Sequence, residues 1–456
     1  MTGPCASWPI LRNRVWAERA VLFGVLTQAW QVLTGPITLW LITRRLSPDA
    51  QGYYFSFGSI LGFQVFFEMG FSTTILYITS HEWAHLNLDG GGRLTGDLRA
   101  MARLGSIARL VMKWYALASG LLILGVGVGG YVFLHSSSHY DIPWEGPWLG
   151  VVVTTGLMFW TAPFVVMLDG CNQMAVTNQF RFAQAVLNSL VLWLVLIFGG
   201  GLWAVLASAG TRLICYLYIL LIRYGRLFRS LLRARTTKHQ VSWRSEIWPL
   251  QWRTALTAIV AYCGANLFVP IMFRYHGAAA AGRMGLTLSL VAMVQSGTLV
   301  WLGTRAPGFG IFIARRQYAE LDRSFLKACV ISLAIFVVGG SVLAGITSLL
   351  YHMGSPLAHR LLPPGPTLLL LGANIFSVVA TCESVYLLAH KRMPLAVLLP
   401  PVAAYGGASV LICVLGGRLG PTGAAGGYLA MMAVLALWET AVWHRCRLSW
   451  HADVVT

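Results

Sequence analysis

The chain has 456 residues, of which 57% are hydrophobic and only 11% charged, with a mean hydropathy of +0.68. A soluble domain carries about 25% charged residues, so the composition excludes a soluble fold and points to a polytopic membrane protein. The net charge of +18 would suggest a nucleic-acid partner in a soluble chain. In a membrane chain it is read as arginine gathered on the cytosolic face against anionic lipid, and nucleic acid is not an expected partner.

A span takes ~20 residues plus a connection, which leaves room for about twelve. They are drawn at 20–43, 52–79, 114–134, 149–169, 181–200, 202–222, 254–273, 283–304, 328–352, 367–389, 394–416 and 420–443. The N-terminus is basic (Arg12, Arg14, Arg19) and precedes an apolar run. That run is too long for a signal-peptide core and no A-x-A cleavage site follows, so it reads as the first span. Arg44 and Arg45 then mark a water interface, and Ser47-Pro48-Asp49 makes a turn. Gly52 opens a second apolar run broken only by Glu68, which makes a transmembrane hairpin with a very short connection. Gly199 to Gly201 and Gly420 to Gly426 form tight corners ahead of the last span of each half.

The hairpin has an echo. With a shift of 230 positions, Arg44 meets Arg274, Gly52 meets Gly282 and Ser59 meets Ser289 without a gap. This reads as an internal repeat, with residues 1–222 as one lobe and 254–456 as the other. Between them lies the basic segment 223–253, in which Arg226, Arg229 and Arg233 share one helical face. It is read either as an amphipathic helix on the lipid surface, serving as a gate or as a dock for an anionic headgroup, or as a linker that sets topology.

The spans place 26 Lys and Arg residues on the face that holds both termini and 6 on the other. Both termini are therefore expected in the cytosol, and an even number of spans is favoured.

Arg44, Leu46-Ser47-Pro48 and Gly52-Tyr53-Tyr54, followed by a mostly apolar stretch and then Glu68 and Gly70, form a pattern that resembles the first hairpin of polysaccharide exporters. These belong to the multidrug/oligosaccharidyl-lipid/polysaccharide flippase superfamily, which includes the O-antigen flippases. The closest likeness covers roughly residues 15 to 80. The resemblance implies an all-α polytopic fold of about twelve transmembrane helices, in two six-helix lobes related by a pseudo-two-fold along the membrane normal. It also implies a bacterial inner-membrane location and a central cavity lined by spans one, two, seven and eight.

Ionisable residues within spans are expensive in hydrocarbon and usually face a cavity or a partner. Glu68 and Glu383 each lie about 16 residues from the outer end of their helices, ~24 Å down at helical rise. They are the candidates for coupling to a proton or sodium ion; Glu68 has a competing role at a helix break beside Gly70. Asp169 and Glu439 lie near span ends and read as interfacial. Arg212 sits near the middle of span six with Ser208 and Tyr216 four residues to either side. A lone arginine there costs at least ~2.5–3.5 kcal/mol, so it should either pair with Glu68 or face the cavity and bind a lipid pyrophosphate; the second is preferred. Tyr262, Asn266, Pro270 and Arg274 share one face of span seven, and Gln28, Gln31 and Gly35 form a stripe in span one. Such polar stripes serve hydrogen bonding between helices or substrate contact, and Gln31, Tyr262, Asn266, Arg212 and Arg274 are the substrate-binding candidates.

None of the eight cysteines forms a C-x-x-C pair, and the His81/His85 and His135/His139 pairs lack a third ligand. No disulfide framework, metal or cofactor is expected. No Ser-His-Asp cluster, P-loop or H-E-x-x-H motif is present, and a non-enzymatic protein is expected. The functional expectation is a flippase for an undecaprenyl-pyrophosphate-linked oligosaccharide, with membrane lipids as further partners. The alternatives are a cation-coupled multidrug exporter and, against the shortness of the outer loops, a membrane-embedded polysaccharide polymerase.

Overall fold

The computed structural model describes residues 8–88, 94–136, 142–233, 248–390 and 395–452. Helix α1 (Trp8–Arg45) stops at Leu46, and Ser47 starts the next helix: its Oγ accepts from the Ala50 amide at 3.1 Å, and its carbonyl accepts from Gln51. Pro48 occupies the first position of α2 (Pro48–Leu61), where its missing N–H is no loss. The second span then breaks twice, into α3 (Gln64–Glu68) and α4 (Phe71–Trp83). Met69 and Gly70 are both left-handed, with φ of 47° and 66°. A short antiparallel hairpin, β1 (Leu86–Leu88) with β2 (Leu94–Gly96), follows. The rest is helical: α5 (Leu98–Ser136), α6 (Glu145–Gly170), α7 (Met174–Ile197), α8 (Trp203–Leu217) running into a π-helical turn (Tyr218–Arg223), α9 (Gly225–Arg233), α10 (Trp248–Asn266), α11 (Phe268–His276), α12 (Ala278–Ala314), α13 (Tyr318–His352), α14 (Pro364–Ala389) and α15 (Leu395–Ala452).

Among the described residues, eight helices are long and apolar enough to cross a bilayer, or nine if α10 and α11, bent by 42°, form one span. This is short of the twelve expected, for local reasons. Thr27, Gln28, Gln31, Thr34 and Thr38 run through α1 and lower its hydropathy. The second expected span is cut at Gly62-Phe63 and at Met69-Gly70. Two expected spans merge in α15, whose 58 residues are interrupted at Gly420 (φ 66°, ψ −150°). At ~1.5 Å per residue that length is nearly three times the ~30 Å hydrocarbon layer, so Gly420 divides two helices.

The chain forms two compact units, one of Met1–Arg45, Leu61–Ser136 and Pro143–Ala255, the other of Leu46–Ile60, Ser137–Ile142 and Leu256–Thr456. In the first unit α1 packs on α7, α5 on α6, and α8 on both α6 and α7. Small residues let these helices approach closely. Trp148 is fully buried in a slot at Gly130, where a Cβ would collide with its ring, and its Nε1 donates to the Gly127 carbonyl at 3.1 Å. Tyr115 stacks on Phe71 and packs against Phe159. On the outer face of α5, Leu117, Leu121, Leu124, Val128 and Val132 are each more than half exposed, as a lipid-facing stripe requires.

The expected amphipathic helix is α9, but its apolar face does not lie on lipid. Leu227, Phe228 and Leu231 are buried against protein, and Phe228 meets Phe164 of α6 edge-on. The remainder of the basic segment, 234–247, lies outside the described residues.

In the second unit α2 crosses α12 at two glycines, Gly52 and Gly282, the pair that the 230-residue shift aligned. A Cβ on Gly52 would collide with the Ala278 carbonyl. A Cβ on Gly282 would lie 2.9 Å from the Gly52 nitrogen and 3.0 Å from the Pro48 carbonyl oxygen. The two helices also start 230 positions apart, at Pro48 and Ala278. Equivalent positions meet one another only close to a two-fold axis. Gln51, 1% exposed, clasps the crossing: its Nε2 donates to the Gly282 carbonyl at 2.8 Å and the Arg360 carbonyl at 3.4 Å, and its Oε1 accepts from Arg360 Nη1 at 3.5 Å. Burial lowers the Arg360 guanidinium below its ordinary range, and the charge of Asp49 opposes this.

Candidate functional site

Below the glycine crossing the second unit opens into a cavity of about 390 Å³. Helix α2 contributes Tyr54, Phe55, Gly58 and Ser59, and the end of α10 contributes Ala265 and Asn266. Phe268 and Val269 come from α11; Ser289 and Gln295 from α12; Asn374 from α14; and Tyr428 from α15. Its polar lining includes the two serine hydroxyls of Ser59 and Ser289 and the three amides of Asn266, Gln295 and Asn374. Four aromatic rings stand among them, and none of the described lining residues is an acid or a base.

Two of the amides are held by their own helices. Asn266 Nδ2 donates to the Tyr262 carbonyl at 3.2 Å and Asn374 Nδ2 to the Leu370 carbonyl at 2.8 Å, both one turn back. Gln295 Nε2 reaches Ser377 Oγ at 3.4 Å. The Tyr262 hydroxyl donates to the Ser59 carbonyl, which ties α10 to α2 behind the wall. Helix α10 ends at Asn266 because the chain bends there: Leu267 breaks the span, and Pro270 follows without an amide hydrogen to extend the ladder.

Of the substrate-binding candidates from the sequence, the structure brings Asn266 to the lining and Tyr262 directly behind it. Gln31 is exposed on α1, and Arg274 is exposed in the last turn of α11; neither lines this cavity. Arg212 is exposed on α8: it does not line this cavity, as the preferred reading expected, and among the described residues it forms no ion pair with Glu68, as the alternative expected. Glu68 is half-buried at the end of α3, one residue before the left-handed Met69-Gly70 break.

The acids of the second unit are arranged differently from their reading as separate residues. Glu383 is 6% exposed and accepts a hydrogen bond from Thr440 Oγ1 at 2.7 Å, while its Oε2 has no hydrogen-bond partner among the described residues. Glu439 is 2% exposed and accepts from Ser384 Oγ. Glu439 is therefore buried, not interfacial: the two carboxylates cross-link α14 and α15 through each other's neighbouring hydroxyls. The sequence held the signal in the pairs Glu383-Ser384 and Glu439-Thr440, each an acid followed by a hydroxyl. Asp169 forms an ion pair with Arg181 at 2.5 Å and also accepts from the Thr177 hydroxyl. Arg181, counted only as a marker of topology, also donates to Asn178 Oδ1 at 2.8 Å. Sequence reasoning missed Gln295, Asn374 and Tyr428 as lining residues. Ser59 and Ser289 were visible as a repeat-related pair but not as cavity hydroxyls.

No protein-family model matches the chain, and no curated protein matches it by sequence. Solved structures match over nearly the whole length. The lipid II flippase MurJ, in an inward closed conformation, is 10% identical with a TM-score of 0.60, covering 95% of this chain and 91% of that chain. An inward-facing multidrug resistance MATE family transporter of the MOP superfamily is 12% identical with a TM-score of 0.62, covering 94% and 98%. The eukaryotic MATE transporter AtDTX14 is 12% identical with a TM-score of 0.59, covering 97% and 99%. At these identities the likeness establishes the fold: the chain is an all-α polytopic membrane protein of the architecture these transporters share.

Proposed function

We propose that the protein is a flippase that carries an oligosaccharide linked to a polyprenyl pyrophosphate, of the undecaprenyl type, from the cytosolic to the outer leaflet of a bacterial inner membrane by alternating access. The observation that supports this most is the chemistry of the cavity. A sugar offers hydroxyls that exchange hydrogen bonds with neutral amides and hydroxyls, and apolar ring faces that lie on aromatic side chains. Ser59, Asn266, Ser289, Gln295 and Asn374 supply the first kind of contact, and Tyr54, Phe55, Phe268 and Tyr428 the second. A cationic drug calls for an acid in the lining, and the described lining residues include none. In this reading residues 1–222 and 254–456 are the two lobes and 223–253 the linker. Arg212 and Arg274 are the candidates to hold the pyrophosphate, because guanidinium matches phosphate geometry.

A cation-coupled multidrug exporter of the same fold is the second reading. The buried carboxylates of Glu383 and Glu439 favour coupling to a proton or sodium ion under either reading, with Glu68 a further coupling candidate. The deciding experiment reconstitutes the protein in proteoliposomes bearing a fluorescent polyprenyl-pyrophosphate oligosaccharide and measures access of an impermeant lectin. Protein-dependent movement of sugar headgroups between leaflets is the expected result. Ethidium efflux without sugar movement would replace the flippase with the exporter.

A further inference from the structure

The cation-bearing end of the first unit has a chemistry that cargo transport does not use. Helix α9 has its apolar side filled by protein, with Leu227 and Leu231 each 1% exposed. It is pinned at both ends: Arg109 Nη1 of α5 donates to the Leu232 carbonyl at 3.3 Å, and the Tyr224 hydroxyl donates to Gln173 Oε1 at 3.0 Å. The opposite side presents Arg226 and Arg229, both exposed, and Arg223 is exposed at the end of the preceding π-helical turn. The ion pairs of this unit among the described residues are Arg103–Glu82 and Arg181–Asp169, so no carboxylate pairs with these three arginines.

Their depth follows from the apolar surface beside them. Leu221 and Ile222, 64% and 71% exposed, immediately precede Arg223. On α5, which packs against α9, the lipid-facing stripe from Leu117 to Val132 ends in the exposed Lys113. From Lys113 to Val132 the helix rises ~28 Å, close to the ~30 Å of hydrocarbon in a bilayer. Lys113 and Arg223 thus each terminate an apolar surface at the level where hydrocarbon gives way to headgroups, and α9 lies beside them at that level.

We propose that Lys113, Arg223, Arg226 and Arg229 form a docking face for anionic phospholipid headgroups of the surrounding bilayer. The covered apolar side makes α9 a rigid bracket that presents charge to the membrane surface instead of inserting into it. This differs from the insertion mode of a free amphipathic helix. The partner is a bilayer lipid rather than a soluble anion, because the cations border exposed apolar surface on two separate elements, one of them of hydrocarbon length. The proposal does not depend on what the protein transports.

The test is native mass spectrometry of the full-length protein in neutral detergent with equal phosphatidylglycerol and phosphatidylcholine. Preferential retention of phosphatidylglycerol is expected, and K113Q/R223Q/R226Q/R229Q should weaken it by about fivefold for each charge removed. The matched control R44Q/R45Q/R315Q/R418Q removes the same number of charges elsewhere and should retain the lipid. Detergent melting verifies that each variant is folded; R226Q/R229Q alone should show the same trend if the quadruple variant is not. Equal retention of the two lipids, an equal loss in the control, or displacement of phosphatidylglycerol by millimolar inorganic pyrophosphate would each overturn the proposal, the last by making the face a site for soluble phosphate.

Discussion

Placing one methyl group at Gly52 or at Gly58, both on α2, separates helix propensity from packing. Glycine to alanine in a helix interior favours the helix by up to ~1 kcal/mol at either position. At Gly58 nothing lies within 4 Å of the new Cβ, so Gly58→Ala keeps that gain. At Gly52 the Cβ falls on the Ala278 carbonyl, which is backbone and cannot rotate away; overpacking of this kind typically costs ~1–3 kcal/mol. The two variants should differ by roughly that amount, with Gly52→Ala the less stable. Gly282→Ala should resemble Gly52→Ala, and the double variant should lose less than the sum, since the first methyl already parts the crossing. Thermal melting in detergent, followed by tryptophan fluorescence, measures the order. If Gly52→Ala melts together with Gly58→Ala, the glycine crossing is not a tight contact, and the argument for a two-fold between the repeat hairpins fails.

Asn266→Ala and Gln295→Ala should each reduce sugar translocation about tenfold, as loss of a buried hydrogen bond to substrate does, with melting unchanged; full activity in both would remove the cavity from the transport path. Glu383→Gln preserves an acceptor for Thr440, so it should fold normally yet abolish the dependence of transport on an imposed proton or sodium gradient; unchanged gradient dependence would exclude Glu383 from coupling. Arg212→Ala should stop export at normal abundance and melting, Arg212→Lys should retain part of it, and Glu68→Ala should rescue nothing, because the two side chains do not pair. In a cysteine-free background, a cysteine at Ser137 should react with an impermeant thiol reagent on intact cells and one at Thr237 should not; the reverse pattern would invert the topology. Both labelled positions lie outside the described residues.

The features legible in the sequence were those governed by local chemistry. Ser47-Pro48-Asp49 was legible as a turn because its residues act on adjacent backbone; the structure adds that Ser47 caps a helix starting at Pro48. The Gly52/Gly282 register was legible because a backbone crossing tolerates no other side chain. The glycine corner at Gly420 was visible for the same local reason. Features set by what packs against a residue were not legible. Periodicity identified α9 as amphipathic but could not say that Phe164 covers its apolar side. The acid-x-glycine pattern at Glu68 and Gly70 was visible, whereas nothing in the side chain of Met69 signals its left-handed backbone. Glu439 looked interfacial from its distance to the span end, and only the packing of α14 on α15 buries it. Arg212 was read from its depth and from the stripe it forms with Ser208 and Tyr216, and neither specifies what that helix face meets.

The glycine crossing also limits how this chain can drift. A residue beside a two-fold axis has its own counterpart as a neighbour, so Gly52 and Gly282 constrain each other rather than being tested separately. Neither can gain a side chain in a single step without meeting main-chain atoms of the other hairpin. The α5 stripe of Leu117, Leu121, Leu124, Val128 and Val132 faces lipid and accepts any apolar side chain. Random mutagenesis scored by surviving protein should therefore leave two cold spots 230 positions apart in a chain that is elsewhere permissive along its lipid-facing surface.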